Sequence, residues 1–165
     1  MDDQYFRAVF LSRTNERFGV TSPHEASTLR QQARNRTAIV RRAENLLRPG
    51  GRCYGMRVVW AGDYADEEPG QTYNLYAAPD VCNLDHEGEC PSALRYIVNH
   101  TQATYVDLAQ YGLGHPLPLL TVEGVADDPT YEAWVGAWAR DEITCENMAP
   151  PPHYSPLVLR ALRDE

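Results

Sequence analysis

The stretch that most constrains the fold is 94–108, LRYIVNHTQATYVDL. Runs of β-branched and aromatic residues at 95–99 and 103–108 flank a short polar segment, which is the composition of two strands joined by a tight turn. A two-residue turn at Thr101 and Gln102 sets the register, although neither residue favours the positive φ of a primed turn and a longer loop would change the pairing. The pairs opposed in this register are Asn99 with Thr104, Val98 with Tyr105, Ile97 with Val106 and Tyr96 with Asp107. We therefore predict a β-hairpin with apolar residues on both faces, close to the centre of the fold.

The length of the chain is that of one ordinary domain. Its 165 residues, 43% of them apolar, are enough to bury a core without the help of disulfides or metals. No apolar run approaches the ~20 residues that a membrane span needs, and the acidic start of the sequence lacks the layout of a signal peptide. We expect a soluble, cytoplasmic protein with no membrane partner.

A long helix is predicted near the N-terminus. Ser22, Pro23 and Glu25 form a capping box with proline at the first helical position, and a Pro-Gly-Gly sequence at 49–51 supplies a stop. Small or apolar residues recur along 23–47 at the three- and four-residue spacing of one helix face. The other faces carry Arg30, Arg34, Arg41 and Arg42. We therefore predict one helix over 23–47 with an apolar stripe and a basic side.

Most of the remaining segments are predicted to be strands. Apolar or alternating runs predict strands at 5–11, 53–60, 71–77 and 117–123, separated by turn formers. Residues 128–145 fit either a helix or strands, and we favour strands because a glycine interrupts the helical pattern. The predicted fold class is α+β, a largely antiparallel sheet of about five to seven strands with one long N-terminal helix packed on it.

Composition divides the chain into a domain and a tail. We predict a single α+β domain at 1–147, with a basic helical part at 1–52 and an acidic, β-rich part at 53–147. Residues 148–165 begin with several prolines, and we expect them to form a C-terminal arm that docks on the domain or on a neighbouring chain.

The charges are distributed unevenly along the chain. All 15 basic residues are arginine and most of them precede residue 53, whereas most of the 23 acidic residues follow it, for a net charge of −8. The basic part therefore either pairs with the acidic part or meets an anionic partner. The absence of lysine is explained by a GC-rich genome, or by selection against an amine that accepts ubiquitin-type tags, as in a phage or host-defence protein.

One segment carries the side chains of a zinc site. Cys82, His86 and Cys90 lie close together in the sequence, and zinc in structural sites takes four Cys or His ligands. The residues available to complete the set are Cys53, Cys145 and His100. The spacing is not that of a CxxC knuckle, so separate buried thiols and a Cys82–Cys90 disulfide are the alternatives. We therefore predict no cofactor, with zinc as the alternative.

An acidic loop at 63–68 follows a predicted strand. This is a usual position for ligands of hard cations and for the carboxylates of acid–base catalysis. Carboxylates in a loop bounded by glycine and proline are more often solvated, and the sequence contains no HExxH, phosphate-binding glycine loop or nucleophile elbow. Enzymatic activity is therefore not the favoured prediction.

The composition favours binding to another protein. Arginine and aromatic side chains dominate protein interfaces, and this chain is rich in both and free of lysine. The expected contact residues are Arg30, Arg34, Arg41, Arg42, Tyr64, Tyr73, Tyr111 and Tyr154. We predict a small non-enzymatic interaction or regulatory protein, of phage or host-defence type, that binds a protein partner and could also form a homodimer. The alternatives are a nucleic-acid or nucleotide binder that uses the Arg-rich helix, and a metal-dependent hydrolase that uses the acidic loop.

Overall fold

The described part of the chain contains two β-sheets and a ten-residue helix that contacts both of them. The computed structural model describes residues 5–22, 37–79, 81–91, 94–111, 115–123 and 134–159. The strands are β1 (Phe6–Leu11), β2 (Arg17–Val20), β3 (Arg57–Gly62), β4 (Cys82–Asn83), β5 (Tyr96–Asn99), β6 (Thr104–Asp107), β7 (Val122–Glu123), β8 (Ile143–Glu146) and β9 (Ser155–Pro156). The helices are α1 (Ala38–Leu47), α2 (Leu108–Tyr111) and α3 (Leu117–Thr121), with a 3₁₀-helix at Asp85–Glu87.

The first sheet has the strand order β4-β2-β1-β3-β7. β1 is antiparallel to β2 and β3, whereas β4 and β7 pair in parallel with their neighbours. Successive residues of a strand point to opposite faces, and here both faces are buried. Val9 and Val59 belong to one apolar cluster, while Phe10 and Trp60 belong to the other. The sheet therefore lies at the centre of the fold.

The second sheet, in the order β8-β5-β6-β9, contains the predicted hairpin. Its register is the one predicted, with Tyr96 opposite Asp107 and Asn99 opposite Thr104. The positive φ that the turn requires falls on Ala103, at 54°, rather than on the two central residues. The Oδ1 atom of Asn99 accepts a hydrogen bond from the backbone N–H of Gln102 at 2.9 Å. This bond closes the turn that Thr101 and Gln102 alone do not favour.

The expectation of one largely antiparallel sheet is wrong. The strands form two sheets, and both are mixed, because the pairs β2–β4, β3–β7 and β6–β9 are parallel. Each of the strands β4, β7 and β9 contains two residues at the edge of its sheet. Two residues are too few to show the alternation of apolar and polar side chains that marks a strand. Neither the presence of these strands nor their parallel pairing can therefore be predicted from local hydropathy.

The single helix predicted over 23–47 is also wrong. α1 begins at Ala38, because Thr37 has extended backbone angles of φ −66° and ψ 172°. Residues 23–36 lie outside the described residues. The predicted stop is confirmed, since the helix ends at Leu47, immediately before the Pro-Gly-Gly sequence at 49–51. The apolar side of α1 is buried, and the helix contacts β1 of the first sheet and β8 of the second.

Two predicted strands have other conformations. Residues 71–77 form bends and turns, because the side-chain amide of Asn74 donates to the carbonyl oxygens of Asp63 and Ala65 and so competes with strand pairing. Residues 117–121 form α3, with Pro118 in its first turn and all five residues buried. A buried apolar run of this length is compatible with either structure.

The segment left ambiguous at 128–145 contains both turns and a strand. Residues 134–140 form turns, and Ile143–Glu146 is strand β8. Residues 128–133 lie outside the described residues. In the C-terminal segment, β9 pairs in parallel with β6, so this part of the chain adds a strand to its own second sheet. In the described ranges, no helix combines the length and the hydropathy that crossing a bilayer would require.

Candidate functional site

Three arginines of the basic part, Arg41, Arg42 and Arg52, face acidic residues at 87–89. Arg41 Nε lies 2.8 Å from Glu89, Arg42 Nη2 lies 3.6 Å from the same carboxylate, and Arg52 Nη1 lies 3.3 Å from Glu87. Arg30 and Arg34 lie outside the described residues. The uneven charge distribution is therefore partly self-complementary. The two described arginines proposed for partner or phosphate binding already have carboxylate partners.

The proposed zinc ligands differ in their environments. Cys90 is buried, Cys82 is half-buried, and the His86 ring is exposed with its Nε2 atom 3.0 Å from Glu87. All four cysteines are free thiols, so the Cys82–Cys90 disulfide is not formed. Burial raises the pKa of the fourth-ligand candidate Cys53 to about 12. Among the described residues, no group of three or more His, Cys, Asp or Glu side chains is arranged to hold a metal ion.

The four tyrosines predicted to contact a partner also differ. Tyr64 is 61% exposed. Tyr73 is half-buried, with the guanidinium of Arg17 5.0 Å from its ring centre. Tyr154 is half-buried, and its hydroxyl is hydrogen-bonded to His100 Nδ1 at 2.9 Å. Tyr111 does not lie on an exposed loop as expected, since it is only 3% exposed at the end of α2.

The loop that carries Tyr64 is held in place by Asn74. The Nδ2 atom of this residue donates to the carbonyl oxygens of Asp63 at 3.2 Å and Ala65 at 3.0 Å. Its Oδ1 atom accepts the backbone N–H of Ala77 at 3.0 Å. One half-buried side-chain amide therefore joins the start of the acidic loop to the segment that follows it. Tyr64 lies between the two carbonyl groups that Asn74 binds.

A second anchor is the ion-pair network of Arg140. Its guanidinium donates to Glu123 at 2.6 and 2.9 Å and to Glu68 at 2.8 Å. The two carboxylates raise the pKa of Arg140 above its usual value. Its backbone N–H also donates to the carbonyl oxygen of Val58 in β3 at 2.9 Å. The network ties the acidic loop to β3 and β7 of the first sheet.

Tyr5 lies beside this loop because of the pairing between β1 and β3. The backbone N–H of Asp63 donates to the Tyr5 carbonyl oxygen at 3.0 Å, and the Tyr5 N–H donates to the Asp63 carboxylate at 3.3 Å. Tyr5 is 45% exposed, and Asp66 and Glu67 are exposed as well. We call the exposed residues of this loop, Tyr64, Asp66 and Glu67, together with the half-buried Asp63 and its neighbour Tyr5, the acidic–tyrosine surface. Sequence analysis missed Tyr5, because its neighbour in space is 58 residues away.

A separate group of polar side chains surrounds the hairpin turn. The Nε2 atom of His100 is 2.8 Å from the Thr144 hydroxyl, and Nδ1 is occupied by Tyr154. Asn99 and Gln102 both donate to the carboxylate of Asp141 at 2.8 Å. Both ring nitrogens of His100 are therefore engaged within the protein. This pattern is typical of groups that fix a turn.

The acidic–tyrosine surface combines exposed aromatic and charged groups on an anchored loop and on the neighbouring Tyr5. Its residues can form apolar, cation–π and ionic contacts, which are the interactions of a binding surface. The chain matches no protein-family model, no curated protein and no solved structure.

Proposed function

We propose that the chain is a small non-enzymatic protein that binds a basic segment of a protein partner through the acidic–tyrosine surface. The observation that carries the proposal is the 61% exposure of Tyr64 on a loop that is anchored by Asn74 and Arg140. A large aromatic side chain loses apolar contact when it faces water. Its exposure on a fixed loop therefore supports a role in recognition.

The anchoring of the loop favours tight binding. Ordering a flexible loop on association lowers affinity, whereas a loop already held in place avoids this loss. Asn74 fixes the backbone on both sides of Tyr64, and Glu68 in the same loop is bound by Arg140. Tyrosine also has few rotatable bonds for its contact area, which is why it is frequent at binding hot spots.

The charge of the surface favours a basic partner. Asp66 and Glu67 are exposed next to Tyr64, and the whole chain has a net charge of −8. Opposite charges across an interface accelerate association and select between partners. A tyrosine ring also attracts an arginine or lysine side chain through its electron-rich face. Nucleic acid is disfavoured as a partner, because its phosphates would be repelled by these carboxylates.

The test compares capture of partners by the wild-type chain and by surface variants, from a lysate of the cells that make the protein. The retained protein is purified, and its affinity is measured by calorimetry at low and high salt. We expect Tyr64→Ala to weaken binding about 30-fold, as at a hot spot. We expect Asp66→Asn together with Glu67→Gln to weaken binding several-fold at low salt and less at high salt, because salt screens exposed charges.

Two variants at other exposed positions provide matched controls. Tyr54→Ala removes a tyrosine that is 46% exposed, and Glu16→Gln removes an exposed carboxylate. Both are expected to bind like the wild-type chain. The proposal is wrong if the retained partner binds Tyr64→Ala as tightly as wild type, or if the control variants weaken binding to the same extent.

A further inference from the structure

The C-terminal segment crosses the second sheet before it pairs with β6. A hinge, residues 147–153, joins β8 to a tail, residues 154–159, which contains β9. β8 and β9 lie at opposite ends of the strand order β8-β5-β6-β9. Neighbouring strands are about 4.8 Å apart, so the hinge spans about 14 Å across the sheet. It also returns along the strands, because Glu146 and Ser155 lie at opposite ends of the sheet.

The tail fills a groove along the edge of β6. The backbone N–H of Ser155 donates to the carbonyl oxygen of Ala103 at 3.0 Å, and the N–H of Leu157 donates to that of Tyr105 at 2.7 Å. Leu159 is 7% exposed and belongs to the larger apolar cluster, against which Leu157 also packs. The groove therefore holds the tail by backbone pairing and by two apolar side chains, which is how the edge of a sheet binds an added strand.

The tail does not fill this groove completely. A cavity of about 160 Å³ lies between residues 156–159 and the side formed by β6 and α2. Val158 is 80% exposed, and Ser155 and Pro156 are exposed as well. Side chains beside such a space make fewer packing contacts than side chains in a filled core. The tail therefore loses less contact on leaving the groove than a fully packed strand would.

The hinge is exposed and ends in a turn that directs the tail back to β6. Its three successive prolines at 150–152 favour an extended backbone. The turn that follows is closed by the N–H of Tyr154, which donates to the carbonyl oxygen of Pro151 at 3.0 Å. Because residues 147–149 and 151–153 are exposed, opening this turn uncovers little buried surface of the hinge itself. An open turn would carry the tail away from its own groove.

We propose that two copies of the chain exchange their tails, so that each tail fills the groove along β6 of the other copy. Every copy has the same groove and the same tail. The exchanged dimer therefore remakes the contacts of Leu157 and Leu159, and the hydrogen bond between Tyr154 and His100. Exchange of an identical element is a low-cost route to a dimer, because only the hinge changes its conformation. This dimer is independent of the acidic–tyrosine surface.

The experiment traps an exchanged tail with a disulfide. Thr104 and Ser155 are opposed in the pairing of β6 with β9, so Thr104→Cys in one copy and Ser155→Cys in another are brought together by exchange. Both copies also carry Cys82→Ser, because the other native thiols are buried. The two variants, one of them tagged, are mixed, incubated, mildly oxidised and separated by non-reducing electrophoresis.

A mixture of Thr104→Cys with Met148→Cys is the matched control, since Met148 is 81% exposed in the hinge and lies outside the paired strands. We expect the Ser155→Cys mixture to form the covalent heterodimer at least about tenfold faster than the control, because an exchanged dimer holds the two thiols at a high effective concentration.

Shortening the hinge provides a second measurement. Deletion of the three prolines at 150–152 removes about 9 Å of extended chain, so the tail should no longer reach its own groove. Sedimentation equilibrium should then show mainly dimers, whereas replacement of the same prolines by three alanines keeps the length and should leave mainly monomers. The proposal is overturned if the Ser155→Cys mixture cross-links no faster than the Met148→Cys mixture, or if the shortened chain is a folded monomer.

Discussion

Replacing Glu44 by alanine should lower the free energy of unfolding by about 3 kcal/mol, because two buried N–H groups that face its carboxylate would lose their acceptor. Glu44 is a completely buried residue of α1. Its Oε2 atom accepts the backbone N–H of Leu94 at 3.1 Å and lies 3.4 Å from Nε2 of His115, which is also buried. The substitution leaves both of these groups facing an apolar cavity.

The contact between Glu44 and His115 is a polar contact without the geometry of a hydrogen bond. At 3.4 Å the two atoms are further apart than in a strong hydrogen bond, and the Nε2 atom does not meet hydrogen-bond geometry. The Nδ1 atom accepts the backbone N–H of Leu117 at 3.3 Å, which places the ring proton on Nε2, towards Glu44. Glu44 therefore joins α1 to the start of β5 and to α3 through one side chain.

Urea denaturation of the variants measures the expected loss. Glu44→Gln should cost less than Glu44→Ala, because its side-chain oxygen can still accept the N–H of Leu94. Glu89→Ala is the matched control: it removes an exposed carboxylate that pairs with Arg41 and Arg42, and should change the stability by no more than about 1 kcal/mol. Equal losses for Glu44→Ala and Glu89→Ala would contradict the structural role of the buried carboxylate.

The hairpin shows which parts of the fold are encoded locally. Its register was predictable, because both strands and the turn lie within one short stretch and their alternating residues fix which faces oppose each other. The same sequence did not reveal that Ala103 takes the positive φ. That conformation depends on the Asn99 side chain, which binds the turn on one side and Asp141 on the other.

The sequence also did not indicate where α1 begins, because this too depends on contacts with other parts of the fold. The capping box at 22–25 and the stop at 49–51 are both strong local signals, and the small residues between them allow a continuous helix. Thr37 was not a distinctive signal of an interruption, because Ser27, Thr28 and Asn35 are also of types favoured at helix N-caps, and the Thr37 side chain makes no capping hydrogen bond. The extended conformation of Thr37 sets the beginning of α1, next to a face that packs on both sheets. The break at Thr37 therefore depends on tertiary contacts, which propensity alone does not encode.

The candidate site was predictable in its loop but not in its neighbours. The exposed Tyr64 and the acidic residues around it were identified from composition. Tyr5, Asn74 and Arg140 were not, because each reaches the loop through pairing between distant segments. Tyr111 shows the opposite case, because the sequence predicts a tyrosine on a loop, whereas the residue lies at the end of α2 and is only 3% exposed. Sequence composition identifies which side chains are available for binding, whereas topology decides which of them are exposed.

The two adjacent glycines after α1 should respond very differently to alanine. A Cβ atom at Gly51 would clash with the carbonyl oxygens of Asn45 and Leu46 and lie 2.7 Å from the Leu46 carbonyl carbon. These are backbone atoms that cannot rotate away, and the Leu46 carbonyl also accepts the N–H of Cys53 at 2.9 Å. We expect Gly51→Ala to cost about 3 kcal/mol or more, at the upper end of the range for overpacked sites.

Gly50 has the opposite properties, and it therefore serves as the control. Its φ is +84°, but a Cβ atom there meets nothing within 4 Å. Gly50→Ala should cost only about 1 kcal/mol, the strain of a left-handed conformation for a residue with a side chain. Urea denaturation of both variants distinguishes steric contact from backbone strain. If Gly50→Ala is as destabilising as Gly51→Ala, the turn is limited by its φ angle, and the close approach of Gly51 to the end of α1 is not what stops the helix at Leu47.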